Sequence, residues 1–405
     1  MKPIVRAGRM KPVHSDIRGP LFVEAMKRQK QGIDILKLNT GNPATFGFGL
    51  PDSIKNALME HMQDGVGYCD FKGMPQARQA ICDYETSKGI KGITSDDVFI
   101  GNGVSEVVSF ALTPLLNDGD EVLVPSPSYS LWCNSVYLED GKPVFYTCDE
   151  QANWYPDIQD IRSKITDKTK AIVIINPNNP TGVLYPKELL LEIIQIARES
   201  GLLIFADEIY DRLVMDGKQH ISLASLTEDV PVITLNGLSK SHCLCGYRCG
   251  WMVISGPREL TEDYRQGIIQ LTSLRLCANT MAQIVIPAAL DDMETPASMV
   301  RPGGRIYEQR EATVRELEKI DGLSFVKNDA AFYVFPKLDV KKFNITNDKQ
   351  FAHDLLDATN ILLVPGSGFD WKDPDHFRIV MLPQADILSD AIRRMGTFLD
   401  GYKQK

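Results

Sequence analysis

Between residues 98 and 255 the chain switches repeatedly from a short apolar run rich in β-branched residues to a longer segment with helical spacing. That alternation admits few folds: strands separated by helices pair in parallel, and the helices must cover both faces of the sheet. The candidate strands are 98–100, 121–124, 144–148, 171–175, 203–206, 232–235 and 251–254, which predicts an α/β fold with a large, mainly parallel, seven-stranded sheet. AIVII and LLIFA are apolar at successive positions, as expected of strands buried on both faces. The ends of such strands open on a crevice where α/β sheets bind ligands.

After about residue 295 the pattern changes. A helical stretch at 306–320 precedes candidate strands at 323–327, 331–335 and 377–381. The closing segment ADILSDAIRRMGTFL puts Ile387, Leu388, Ala391, Ile392 and Met395 on one face of a helix. We therefore expect a large domain over residues 45–295 and a smaller α+β domain made of 1–44 plus 296–405.

A chain of 405 residues, 43% hydrophobic, is long enough to enclose a dry site. Its net charge of −9 would repel nucleic acid and anionic lipid, so small molecules are the expected ligands and any anion must meet a local cluster of donors. The first residues carry basic groups but no apolar core, and nowhere do 18 uncharged apolar residues run together, which predicts a cytoplasmic protein. Eight irregularly spaced cysteines fit reduced thiols. Cys243, Cys245 and Cys249 are close together, yet no CxxC or matching histidine pair accompanies them, so no metal is expected.

Four strand ends carry polar residues. In IGNGVSEVV the turn Gly101 to Gly103 opens a helix whose free amides at Val104 and Ser105 could hold a phosphate, although many such turns only join a strand to a helix. In IINPNNPTG two Asn-Pro steps make a fixed loop that would aim Asn179 inward, a cis peptide before Pro180 being one way to fix it. In IFADEIY the carboxylate of Asp207 ends an apolar strand, with Tyr210 three residues on; if buried it needs a cation, and a helix N-cap is its ordinary alternative. LNGLSKSHCLCGYRCGW places Lys240 beyond a strand and Arg248 eight residues later. A nucleophilic lysine must be deprotonated part of the time, which desolvation and a nearby cation favour.

The motifs NPxNPTG, ADEIY and SKxxxxxGxRxGW, in this order and spacing, resemble those of the class I and II aminotransferases, fold-type I enzymes that use pyridoxal 5′-phosphate. The resemblance covers almost the whole chain. It implies that Lys240 binds the cofactor covalently, that Asp207 pairs with the pyridine nitrogen, and that Asn179 and Tyr210 hydrogen-bond the ring oxygen. Arg248, Ser239 and the amides of Val104 and Ser105 would bind the phosphate, and Tyr129 of PSPSYSLW would stack on the ring. Tyr68 of GYCDFKG matches a tyrosine that reaches the phosphate of the neighbouring subunit, which implies a homodimer with shared sites. Arg378 of HFRIV matches the arginine that grips the substrate α-carboxylate, with Gly41 of LNTGNP supplying a backbone contact.

IRGP, GYCDFKG and RLCAN look like the alanine (glutamate–pyruvate) aminotransferase subgroup, which implies exchange of the amino group between L-alanine and 2-oxoglutarate by a ping-pong mechanism. The distal carboxylate needs a cation, and Arg18 and Arg275 are the candidates, each with a structural ion pair as its ordinary alternative. Two features depart from the subgroup: Ser15 stands where an aromatic residue is usual, and SHCLCGYRC is rich in cysteine. Aminotransferases for aspartate, aromatic or branched-chain amino acids, and carbon–sulfur lyases of the same fold, share the cofactor residues. Transcription regulators built on this fold carry a basic DNA-binding module, which residues 1–39 lack.

Overall fold

Eight strands form the main sheet of the computed structural model, which describes residues 2–405. In chain order they are β1 (Val98–Asn102), β2 (Glu121–Ser126), β3 (Lys142–Asp149), β4 (Tyr155–Pro156), β5 (Thr169–Ile175), β6 (Leu203–Asp207), β7 (Val232–Gly237) and β8 (Cys249–Ser255). Their order across the sheet is β1-β8-β7-β6-β5-β2-β3-β4. The five strands β3, β2, β5, β6 and β7 pair in parallel, whereas β8 runs antiparallel between β1 and β7. The seven expected strands are all present. The eighth, β4, is a two-residue edge strand paired with the end of β3, too short to leave a periodic signal.

Helices cover both faces. Successive residues of β5 and β6 alternate between two apolar layers: Ile172, Ile174 and Ile204 pack toward α3 (Lys187–Ser200), while Val173, Ile175 and Phe205 pack toward α1 (Val104–Leu112) and α2 (Leu131–Leu138). This two-sided burial is why the strand sequences read as continuous apolar runs. The short helix α4 (Leu238–Ser241) follows β7, and α5 (Arg258–Arg275) follows β8.

The C-terminal segment builds a second, antiparallel sheet from β9 (Tyr333–Val334), β10 (Val364–Pro365) and β11 (Phe377–Val380), ordered β9-β11-β10. It packs with α6 (Arg305–Leu317) and α7 (Ala385–Leu399) around a core that includes Leu317, Val334, Phe377, Leu388, Ile392 and Met395. Two expectations need correction. Ile387 is 45% exposed, because it lies one residue, hence about 100°, off the stripe formed by Leu388, Ala391, Ile392 and Met395. The expected strands 323–327 and 331–335 shrink to Leu323–Ser324 and β9; Ala331, at φ 59°, leaves the extended region and delays the second. Near the N-terminus, Leu36–Lys37 pairs in parallel with Ile361–Leu362, and Leu38 joins the same core. Among the described residues no single helix is long and apolar enough to cross a membrane.

Candidate active site

The parallel strands bring their C-terminal ends to one edge, and β8 begins there. Gly250 of β8 pairs with Gly237 of β7 on one side and Gly101 of β1 on the other. This row of three glycines lets the first turn of α1 come down onto the sheet: a Cβ at Gly250 would meet Val104 N and lie 2.6 Å from the Gly103 carbonyl carbon. Gly103 itself, at φ 84°, sits beneath the Arg248 guanidinium, which any side chain there would displace. Arg248 is in the left-handed region at φ 56° and donates to Cys245 O at 3.0 Å. The result is a cradle of free helix amides at Val104 and Ser105 beside a guanidinium that has no carboxylate partner, with Ser239 on the neighbouring turn.

Asp207 closes β6 and is buried. Trp132 Nε1 donates to its Oδ2 at 3.0 Å and Ile209 N to its Oδ1 at 3.3 Å, but no cation among the described residues reaches it. Other buried acids have a cation in contact: Arg265 pairs with Asp97, and Glu85, Glu208 and Asp211 share Lys88. Burial pushes Asp207 up to about 6, with Glu208 adding to the rise and the two hydrogen bonds opposing it. A carboxylate built into such a place is satisfied by a cationic N–H from a ligand.

Arg378, on β11, presents the opposite imbalance. It is fully buried, its Nη1 donates to Asn179 Oδ1 at 3.0 Å and its Nη2 to Asn39 O at 2.5 Å, and Nε has no partner. The guanidinium lies 4.6 Å from the ring centres of both Tyr333 and Phe369 and pairs with no carboxylate among the described residues. Burial lowers its pKa, partly offset by Tyr333, Tyr210 and Tyr129. It is a preformed fork for an anion.

Lys240, on α4, lies near Arg378 and Tyr333: Nζ donates to Gly41 O at 2.9 Å and stands 5.8 Å from the Phe332 ring centre. Burial lowers its pKa, but Tyr333, Cys245 and Tyr129 outweigh burial and leave it raised. The expected depression of this lysine is therefore not met in the protein alone, because the tyrosines and the thiol outweigh burial and the nearby Arg378 cation, both of which act to lower it. Tyr210 shares a 2.8 Å hydrogen bond with the hydroxyl of Tyr333, beside which Gly41 has room for no side chain.

The loop after β5 differs from expectation in one respect: the cis peptides are Asn176–Pro177 and Ser126–Pro127, and the bond before Pro180 is trans. The reversal comes at the strand exit, and Gly182 N donating to Asn178 O at 2.8 Å completes the turn that delivers Asn179 to Arg378. Tyr129 is half-exposed at the end of β2, and Tyr68 is 84% exposed. Arg275 is engaged by Glu106 at 2.5 Å and by the carbonyls of Phe71 and Ile100. Arg18 is exposed and has no ion-pair partner among the described residues; its neighbour Ile17 accepts from Asn39 Nδ2 at 2.9 Å.

Sequence reasoning missed Trp132, Tyr333, Asn39, Phe332 and Phe369. The first had a signal, a tryptophan whose N–H needs a partner, three residues after Tyr129 at a strand end. The others come from the C-terminal segment and the N-terminal arm, whose packing against the sheet edge leaves no local pattern.

Residues 33–392 match the family model described as aminotransferase class I and II. The chain is 50% identical to the glutamate-pyruvate aminotransferase AlaA of Haemophilus influenzae over 404 residues, covering 100% of both chains. It superimposes on the crystal structure of an aminotransferase from Escherichia coli with a TM-score of 0.98 at 47% identity, over 100% of both chains. An alanine aminotransferase from Pyrococcus furiosus gives a TM-score of 0.92 at 40% identity, over 98% of this chain and 100% of that one.

Proposed function

Because the chain belongs to the class I and II aminotransferase family, we propose that it exchanges an amino group between L-alanine and 2-oxoglutarate, with pyridoxal 5′-phosphate held by the residues of this site. The observation that carries the cofactor assignment is the pair of opposite, uncompensated buried charges, Asp207 and Arg378, with the amine of Lys240 among the same side chains. Glutamate–pyruvate and alanine aminotransferases among the full-length relatives support the substrate pair.

Lys240 would hold the cofactor through its amine and Asp207 would take the ring N–H, while Asn179 and Tyr210 would bond the ring oxygen. Tyr129 would cover the ring. Arg248, Ser239 and the amides of Val104 and Ser105 would bind the phosphate, which suits a cradle where side chains on Gly103 and Gly250 would collide. When bound, the cofactor supplies an aldehyde that condenses with amines and a ring that takes up an electron pair. Arg378 would bind the substrate α-carboxylate as a two-pronged donor, and the Gly41 carbonyl would hold the Lys240 amine when it is free of the cofactor. Lys240, once free, moves the proton at substrate Cα, and burial around Phe332 and Tyr333 excludes water from it. Arg18, without an ion-pair partner, suits the distal carboxylate of 2-oxoglutarate better than Arg275, which Glu106 already neutralises.

A homodimer fits the exposed apolar residues Met59, Met62, Val66, Tyr68, Leu274 and Leu276. They belong to two segments joined by Thr280 Oγ1 donating to Gly65 O at 2.6 Å and Arg275 to Phe71 O at 3.1 Å. Tyr68 would serve the partner's phosphate from this surface.

The test is alternation. L-Alanine alone should bleach the visible absorbance of the holoenzyme with release of one pyruvate per chain, and 2-oxoglutarate should restore it. Continuous release of pyruvate and ammonia without an acceptor would instead identify a lyase, and indifference to alanine would reject this substrate.

A further inference from the structure

Three side chains from separate segments converge beside α2, outside the site described above. His14 Nε2 lies 3.1 Å from Asp370 Oδ1, and Cys133 Sγ lies 3.1 Å from Asp370 Oδ2. Nitrogen, sulfur and oxygen donors all fall within 4.8 Å of one another. Each is held from outside the cluster. Asn134 accepts from His14 N at 3.1 Å and donates to His14 O at 2.6 Å, Ser126 Oγ donates to Asp370 O at 2.7 Å, and Cys133 is fixed by its buried place on α2. The second imidazole nitrogen, Nδ1, faces Asp16 Oδ2 at 3.9 Å, and Lys349 pairs with Asp16 at 3.3 Å. A carboxylate hydrogen-bonded to the far nitrogen orients metal-binding histidines, and Asp16 has about 1 Å to close to make that bond.

We propose that His14, Cys133 and Asp370 bind a zinc-like divalent cation, with a fourth position left to water, and that the ion staples the N-terminal arm to the body of the protein. A thiolate–imidazole–carboxylate set selects zinc and its transition-metal neighbours over magnesium or calcium. Bonds of about 2.0–2.3 Å at tetrahedral angles put neighbouring donors about 3.5 Å apart, so the 3.1 Å contact to whichever Asp370 oxygen the ion takes opens by a few tenths of an ångström, while the remaining donor pairs, already within 4.8 Å, close onto the ion. On capture the cation bonds to Sγ, Nε2 and a carboxylate oxygen, and the thiol proton leaves for solvent, followed by the ring proton where the imidazole is charged. When both leave, two positive charges replace two, and the half-buried cluster keeps its charge. The arm so fixed carries Arg18, and Cys133 adjoins Trp132, the donor to Asp207. The site stands on its own geometry, whatever the substrates of the enzyme.

The test uses holoenzyme freed of metal by a chelator and titrated with cobalt(II), then zinc. We expect one cobalt per chain, a thiolate-to-cobalt charge-transfer band that zinc abolishes, and slower tryptic cleavage after Arg18 with zinc present. Cys133→Ser should lose the band, and His14→Gln should lose both the band and the protection. Asp16→Asn should weaken binding about 10-fold or more. His14 is partly exposed, so His14→Gln decides the matter even if Cys133→Ser fails to fold. Absence of the band, its persistence in His14→Gln, or its transfer to Cys243→Ser as the sensitive variant would overturn the proposal.

Discussion

Trp132 Nε1 donates to Asp207 Oδ2 at 3.0 Å, so an indole from α2 orients the buried carboxylate at the end of β6. Removing the carboxylate should cost more than removing the indole. Asp207→Ala should retain some bound cofactor but lose about 10²–10³-fold in kcat, the scale of one electrostatic partner in a dry site. Trp132→Phe should cost about 1.5–3 kcal/mol, the worth of a hydrogen bond to a charged group, in transition-state stabilisation. Steady-state kinetics of the two variants checks the ranking.

Asp207 also sets a pH dependence in the cofactor-free protein. Its folded-state pKa, about 6, lies above the ordinary 3.8, so between these values the folded chain binds more protons than the unfolded one. Its contribution to stability is therefore fullest below about pH 4 and falls as pH rises through 6. The difference in melting temperature between apo wild type and Asp207→Asn should shift in favour of the variant across this window. Bound cofactor, by giving the carboxylate a cation, should remove the shift.

Arg378 is a buried cation with no anionic partner among the described residues, a burden on the fold that the proposed binding of substrate would relieve. Arg378→Met should leave the melting temperature of the apoprotein unchanged or higher, while raising KM for every amino and keto acid by about 100-fold, near 2.7 kcal/mol. Arg378→Lys should recover little of that affinity, since an ammonium cannot present two parallel donors. Thermal scans and substrate titrations read the two effects separately.

Arg18 and Arg275 should separate in the same way. Arg18→Gln should raise KM for 2-oxoglutarate and glutamate by about 10-fold or more, equivalent to at least 1.4 kcal/mol, and leave KM for alanine nearly unchanged. Arg275→Gln should instead lower the melting temperature, because it takes the cation from Glu106 and the guanidinium donors from the carbonyls of Phe71 and Ile100. A dicarboxylate-specific effect at Arg275 would reverse these roles.

The large sheet was legible because burial on both faces writes itself as β-branched runs such as AIVII, and its site could be read because each polar motif follows such a run directly. Asp207 and Lys240 are local in that sense. Arg378 was found only through resemblance, since one arginine inside an apolar strand has no pattern of its own. Tyr333, Phe332 and Asn39 reach the site through tertiary packing of segments far apart in the chain, and nothing in their neighbourhoods marks them. Ile387 shows the same limit in small: composition made it apolar, but a turn of about 100° per residue set it outside the core.

The account stands on the amine of Lys240 being the point of attachment for the cofactor. Reduction of the holoenzyme with borohydride, followed by peptide mass mapping, tests this directly. We predict one pyridoxyl group per chain, on the peptide containing Lys240, and none in Lys240→Ala. A label on another lysine, or labelling that survives Lys240→Ala, would contradict it.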